Sequence, residues 1–201
     1  MSVPSKARNR LKMLRRNPHR DYPQIDKSAY IDPTAVIIGK VSIGRNVFVG
    51  PTAVIRADEP GSSIIVKDNC NVQDRVIIHA LEDSSVLIGE NTSLAHGCII
   101  HGPCKIGKNC FIGFGSVVFK AEIGDGVCIK HLAVVERVDI TPERIIESHF
   151  LVNCEEDARD LRYADKKTKD FMEKVIKLNL NLVRGYKHGG SKCLKEMTLK
   201  R

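Results

Sequence analysis

The sequence predicts a parallel β-helix of hexapeptide repeats closed by a C-terminal α-helix, and three observations predict it. Aliphatic residues return at every sixth position: Ile31, Ile37, Ile43, Val49 and Ile55; Val66, Val72 and Ile78; Ile88, Leu94, Ile100, Ile106, Ile112 and Val118; and, after a five-residue step, Ile123, Ile129 and Val135. A glycine follows many of them, as in Ile43-Gly44, Val49-Gly50, Ile88-Gly89, Ile106-Gly107, Ile112-Gly113 and Ile123-Gly124. A period of six matches neither the roughly 3.6 of an amphipathic helix nor the two of a simple strand. It does match short strands joined by Gly-bearing turns, each sending one aliphatic side chain inward.

Taken in order, residues 1–28 form a basic extension, because the first 20 residues hold seven Lys/Arg and no acid. Such a segment is read as solvated; binding to an anionic surface and service as an organelle transit peptide are its alternatives, and nucleic-acid binding is not expected. Residues 29–150 form the hexapeptide domain. Its two breaks in phase fall at Pro60-Gly61 and at Glu82-Asp83-Ser84-Ser85, and neither Gly61 nor Ser84 can act as an inward aliphatic, so both breaks are loops leaving the corners. Residues 151–187 form a helix laid along the prism, with Leu161, Phe171, Val175, Leu178 and Leu182 as its apolar positions. Residues 188–201, with Gly189-Gly190 and scattered lysines, read as a flexible tail.

At 201 residues the chain suits a single domain. No apolar run approaches the roughly 18 residues of a membrane span, and the charged start lacks the apolar core of a secretory signal. The seven cysteines (Cys70, Cys98, Cys104, Cys110, Cys128, Cys154, Cys193) are odd in number and form no C-x-x-C pair. They read as buried thiols in a reducing, cytoplasmic setting.

Counting in sixes places the polar residues that carry chemistry. His79 follows inward Ile78 and His101 follows inward Ile100; their separation is three hexapeptides plus the four-residue loop, so they stack on successive coils about 4.8 Å apart. Arg56, after Ile55, falls on the same column one coil earlier. His96 lies two residues after Leu94, on the preceding face, and points away from the other two. The three imidazoles therefore cannot meet within one subunit, but they can meet if three prisms associate about a common axis. The same shift sets Asp74 above His96, where it can pair with a neighbour's Arg56. Three neutral imidazoles with an open position make the donor set of a catalytic zinc site; the alternative is separate, hydrogen-bonded surface histidines. His131 stands two coils beyond His96, out of bonding reach of the same ion, and His19, His149 and His188 lie outside the register. Cys98 and Cys104 read as packing residues.

These residues resemble the γ-class carbonic anhydrases, on 56-RADE-59, 71-NVQDRVIIHALE-82, 94-LAHGCIIHGP-103, the hexapeptide tract of residues 31–146 and the tail 179-NLNLVRGY-186. The resemblance implies a left-handed winding, three hexapeptides per coil and a homotrimer with metal sites between subunits. It implies Zn²⁺ on His79, His96 and His101, with Fe²⁺ or Co²⁺ in some members. It implies reversible hydration of CO₂ to bicarbonate and a proton, by attack of hydroxide held on the metal. It further implies that Arg56, Asp58 and Asp74 form interface salt bridges, that Gln73 hydrogen-bonds that hydroxide, that Asn179 positions substrate, and that Glu59 and Glu82 carry protons. The chain departs from the better-known members in its shorter, less acidic loop after Glu82 and in Lys177, where an aromatic residue occurs. Two other functions stay open: a hexapeptide acyltransferase using acyl-CoA and a histidine base, and a non-catalytic metal-binding trimeric scaffold.

Overall fold

The computed structural model describes residues 13–187 and shows a β-solenoid of short parallel strands, two to four residues each, followed by two helices. The strands form three sheets of eight, six and seven members, and the chain visits one sheet after another as it winds. Every third strand returns to the same sheet and pairs with the one a coil earlier, which satisfies the ladder groups of each coil from the next.

The period of six is the period of the core. On the eight-stranded face Ile37, Ile55, Ile78, Ile100, Val118, Val135 and Val152 pair in sequence, and every one of them is fully buried. Ile43, Val66, Ile88, Ile106 and Ile123 line the six-stranded face, and Val49, Val72, Leu94, Ile112, Ile129 and Ile146 the seven-stranded face. β-Branched side chains suit this pleated, one-sided burial. Glycine follows them where the next coil's backbone comes closest: a Cβ on Gly113 would lie 2.5 Å from the carbonyl carbon and oxygen of Lys130. Asparagine takes another corner. Asn46, Asn69, Asn91 and Asn109 all adopt positive φ, which asparagine tolerates, and the amides of the first three each donate to the side-chain oxygen of the next at 3.1–3.2 Å.

Strand pairing begins upstream of residue 29. Leu14–Arg15 pairs with Ile37–Ile38, and Gln24–Ile25 pairs with Ser42–Ile43, so part of the basic extension belongs to the first coil. At the other end the ladder runs on through Ile140, Ile146 and Val152. The two phase breaks are stacked loops at one corner, where Asp83 N–H donates to Pro60 O at 2.9 Å and Ser63 N–H to Ser84 O at 3.1 Å.

The downstream segment is two helices, Glu155–Asp160 and Lys166–Lys187. The chain turns extended at Leu161 between them. The long helix returns along the seven-stranded face: Phe171 packs on Phe111 with ring centroids 5.1 Å apart, and Tyr186 reaches Tyr30 at 4.5 Å near the start of the solenoid. Its inward residues are Met172, Asn179 and Val183. Of the expected apolar positions Leu161 is buried and Val175 packs against the core, whereas Phe171, Leu178 and Leu182 are 46%, 54% and 41% exposed. The polar anchor of Asn179 on the solenoid fixes the helix in that rotation. The expected tail, residues 188–201, lies outside the described residues. No helix among the described residues is long and apolar enough to cross a membrane. Of the cysteines, 70, 98, 104, 110 and 128 are buried free thiols, and Cys154 is free but exposed.

Candidate metal centre

One column on the outer side of the eight-stranded face carries the site. Arg56 pairs with His79, His79 with His101, and His101 with Phe119 across successive coils. The strands put these side chains on the outer surface because each directly follows an inward aliphatic, and side chains alternate along a strand. His79 Nδ1 lies 3.1 Å from His101 Nε2, with the rings at 77° to each other. Arg56 Nη2 donates to His79 Nε2 at 3.2 Å. Arginine can only donate, so the network assigns the His79 proton to Nδ1 and the His101 proton to Nδ1. That last nitrogen is buried and has no partner among the described residues.

The two imidazoles are aimed at each other. Burial away from water holds the His79 pKa below the ordinary 6.5, the positive charge of Arg56 and the nearby His101 add to the effect, and Glu59 and Asp58 oppose it. Two ligand nitrogens on a tetrahedral ion with bonds of about 2.0–2.1 Å stand about 3.3 Å apart, close to the observed 3.1 Å. That spacing fits two ligands of one divalent metal ion once the His79 ring proton moves from Nδ1 to Nε2, which faces the carboxylates of Glu59 and Asp58 at 3.4 and 3.5 Å. Within one chain the set stops at two: no group of three His, Cys, Asp or Glu able to hold an ion occurs among the described residues.

His96 occupies the corner between the seven- and eight-stranded faces and is exposed. Its Nδ1 hydrogen-bonds to Asp74 Oδ1, one coil earlier on the same corner. Asp74 is thus engaged inside its own chain and lies 3.9 Å from Arg75. Arg56 Nε likewise lies 3.2 Å from Asp58 Oδ1; that oxygen is buried, and the contact is one of charge rather than a formed hydrogen bond.

Carboxylates sit on the loop side. His79 Nε2 lies 3.4 Å from Glu59 Oε1 and 3.5 Å from Asp58 Oδ1, and the backbone N–H of Glu82 donates to Glu59 Oε2 at 2.6 Å. The stacked loops thus place Glu59 and Glu82 at one corner beside His79. On the adjoining seven-stranded face Gln73 Nε2 donates to Asn179 Oδ1 at 3.2 Å and to Asn71 Oδ1 at 2.9 Å. Asn179 Nδ2 is buried and has no partner among the described residues.

The sequence did not single out Asn71, although it stands in register with Ser93 on the strands beneath the long helix. Cys98 and Cys104 take no part. Burial pushes both thiols up, and Cys104 donates its S–H to His101 O at 3.2 Å. His131 accepts the Phe114 N–H at 3.1 Å, and His19 and His149 lie exposed, away from the column; His188 lies outside the described residues.

Comparison with known proteins bears on this arrangement. A model of the bacterial transferase hexapeptide family, six repeats, matches residues 22–57 and 85–120. A hexapeptide transferase family protein from Anaplasma phagocytophilum shares the fold, with a TM-score of 0.74 and 24% identity over 87% of this chain and 98% of that one. The carboxysome assembly protein CcmM of Nostoc sp. is 37% identical over 85% of this chain, which spans 33% of that protein's length. A carbonic anhydrase of Methanosarcina thermophila is 38% identical over 85% of this chain and 77% of its own. With a 38% identical relative matched over 77% of its length, the chain belongs to the γ-class carbonic anhydrase family of hexapeptide-repeat proteins.

Proposed function

We propose that the protein is a cytoplasmic homotrimer that catalyses the metal-dependent, reversible hydration of CO₂ to bicarbonate and a proton. The observation that carries the reading is the Arg56–His79–His101 column: two facing imidazoles with carboxylates beside them. His79 and His101 of one subunit and His96 of the next would hold Zn²⁺, with Fe²⁺ or Co²⁺ as substitutes, since an all-nitrogen donor set suits each of them. When bound, such an ion lowers the pKa of water to about 7 and so supplies a nucleophile at neutral pH.

The chain's own groups do the rest. The Gln73–Asn179 pair orients the linear substrate, with the free Asn179 Nδ2 as donor to one of its oxygens. Water must lose its proton before the new C–O bond forms. Glu59 and Glu82, at the loop corner, take it and pass it to buffer. Arg56 pairs with the neighbour's Asp74, alongside Asp58, and holds the two faces in register.

A second reading rests on one observation, that an assembly protein shares 37% identity over 85% of this chain. In that reading the trimer and its metal serve assembly, without turnover. An acyltransferase needs one histidine base and leaves the stacked pair and Arg56 without a role. Metal analysis of anaerobically purified protein with a CO₂ hydration assay separates these. About one metal per subunit with metal-dependent hydration supports the first reading; metal without hydration supports assembly; protein free of metal under all conditions overturns both.

A further inference from the structure

We infer that a second polar contact, between His131 of one subunit and Glu136 of its neighbour, closes the subunit interface on the far side of the imidazole layer. It rests on the trimer reading above. The corner residues Asp74, His96, Phe114 and His131 form one stack: Gly97 N–H donates to Asp74 O, Gly115 N–H to His96 O and Leu132 N–H to Phe114 O, at 2.8–3.0 Å. Glu136 stands at the end of the facing column, paired with Phe119, which follows His101.

Both columns advance one coil at a time, so a single contact fixes all the others. If His96 falls between the rows of a neighbour's His79 and His101, Phe114 falls between its His101 and Phe119. His131 then falls between its Phe119 and Glu136. Asp74, one coil before His96, falls beside the neighbour's Arg56 and His79. The charge order is thus acid on the corner and base on the face above the imidazoles, and the reverse below them.

The side chains are set for this. His131 Nδ1 accepts the Phe114 N–H at 3.1 Å, and its ring stacks on Phe114 at 4.2 Å and 17°. The other nitrogen therefore carries the ring proton of the neutral form, and no partner for it occurs among the described residues. Phe114 in turn contacts the His96 ring at 5.2 Å, so the same stack that ends in His131 braces the corner histidine. Among the described residues Glu136 meets only Arg137, at 3.3 Å through Oε1, which leaves its second oxygen to accept.

Cysteine cross-linking tests the pairing. In a Cys154→Ser, Cys193→Ser background, His131→Cys combined with Glu136→Cys should give covalent trimers with a short bismaleimide, and neither single variant should. A protein that is trimeric by light scattering but does not cross-link in the double variant overturns this contact while leaving the trimer standing. A monomeric parent overturns the trimer reading itself. As an independent measure, His131→Glu should raise the trimer dissociation constant at least about ten-fold by setting like charges opposite each other, and adding Glu136→Lys should reverse most of that rise; an unchanged constant overturns the pairing.

Discussion

If the metal site is shared between subunits, two individually dead chains should repair each other, and by a calculable amount. His96 stands on a corner between two sheets, whereas His79 and His101 stand together on one strand face. His96→Ala removes the corner donor and His101→Ala removes a face donor, so each variant alone leaves two imidazoles per site and should lose metal and activity. Consider trimers that contain both chains. Around a three-membered ring of two kinds, only one interface sets an intact corner against an intact face, whichever chain is in excess. Each mixed trimer therefore regains about one site in three. Co-expression with two affinity tags, followed by purification on both, removes the unmixed trimers. Metal content and CO₂ hydration should then both stand near a third of the wild-type value. Recovery of neither, with trimers present and both chains folded, refutes the sharing of ligands; full metal content and activity in the His96→Ala trimer by itself would mean that His96 is not a ligand at all.

Other tests address proton handling, packing and pH. Glu59→Gln and Glu82→Gln should each lower kcat about 10- to 100-fold at low buffer, with imidazole restoring most of it and kcat/KM little changed. Ile100, fully buried between Ile78 and Val118, should cost about 2–5 kcal/mol on change to Ala, read from urea denaturation. Gly113→Ala forces a Cβ to 2.5 Å from the Lys130 carbonyl, and should cost about 1–3 kcal/mol with a lower Tm. In metal-free protein the His79 pKa lies below 6.5; the unfolded chain then takes the proton first, so stability is full above about pH 6.5 and falls as pH drops toward the folded value. The urea midpoint should decline over that window, and His79→Gln should flatten the decline.

Much of this molecule is legible in one dimension because a solenoid is nearly one-dimensional. The six-residue period names the inward side chain of each strand, and His79, His101 and Arg56 follow from it by counting, since a residue beside an inward position must point outward on the same strand. The two loops are legible for the same reason, because Gly61 and Ser84 break the count. What counting does not reach lies across coils and beyond the solenoid. The pairing of Leu14 with Ile37 and the stripe of Met172, Asn179 and Val183 are both absent from the period. A helix has several apolar lines, and its rotation is chosen by the surface it meets. The approach of Glu59 to both His79 and the Glu82 N–H depends on how two irregular loops stack.

The sequence by itself determined the solenoid, its core, and the division of the three histidines between two faces, because the repeat fixes which way each side chain points. Tertiary structure decided the rest. It set His79 and His101 3.1 Å apart with one buried nitrogen unpartnered, and it brought Asn179 across 106 residues to Gln73. Such contacts come from the lateral packing of strands, loops and helix, and no repeat along the chain encodes a distance between elements that touch only after folding.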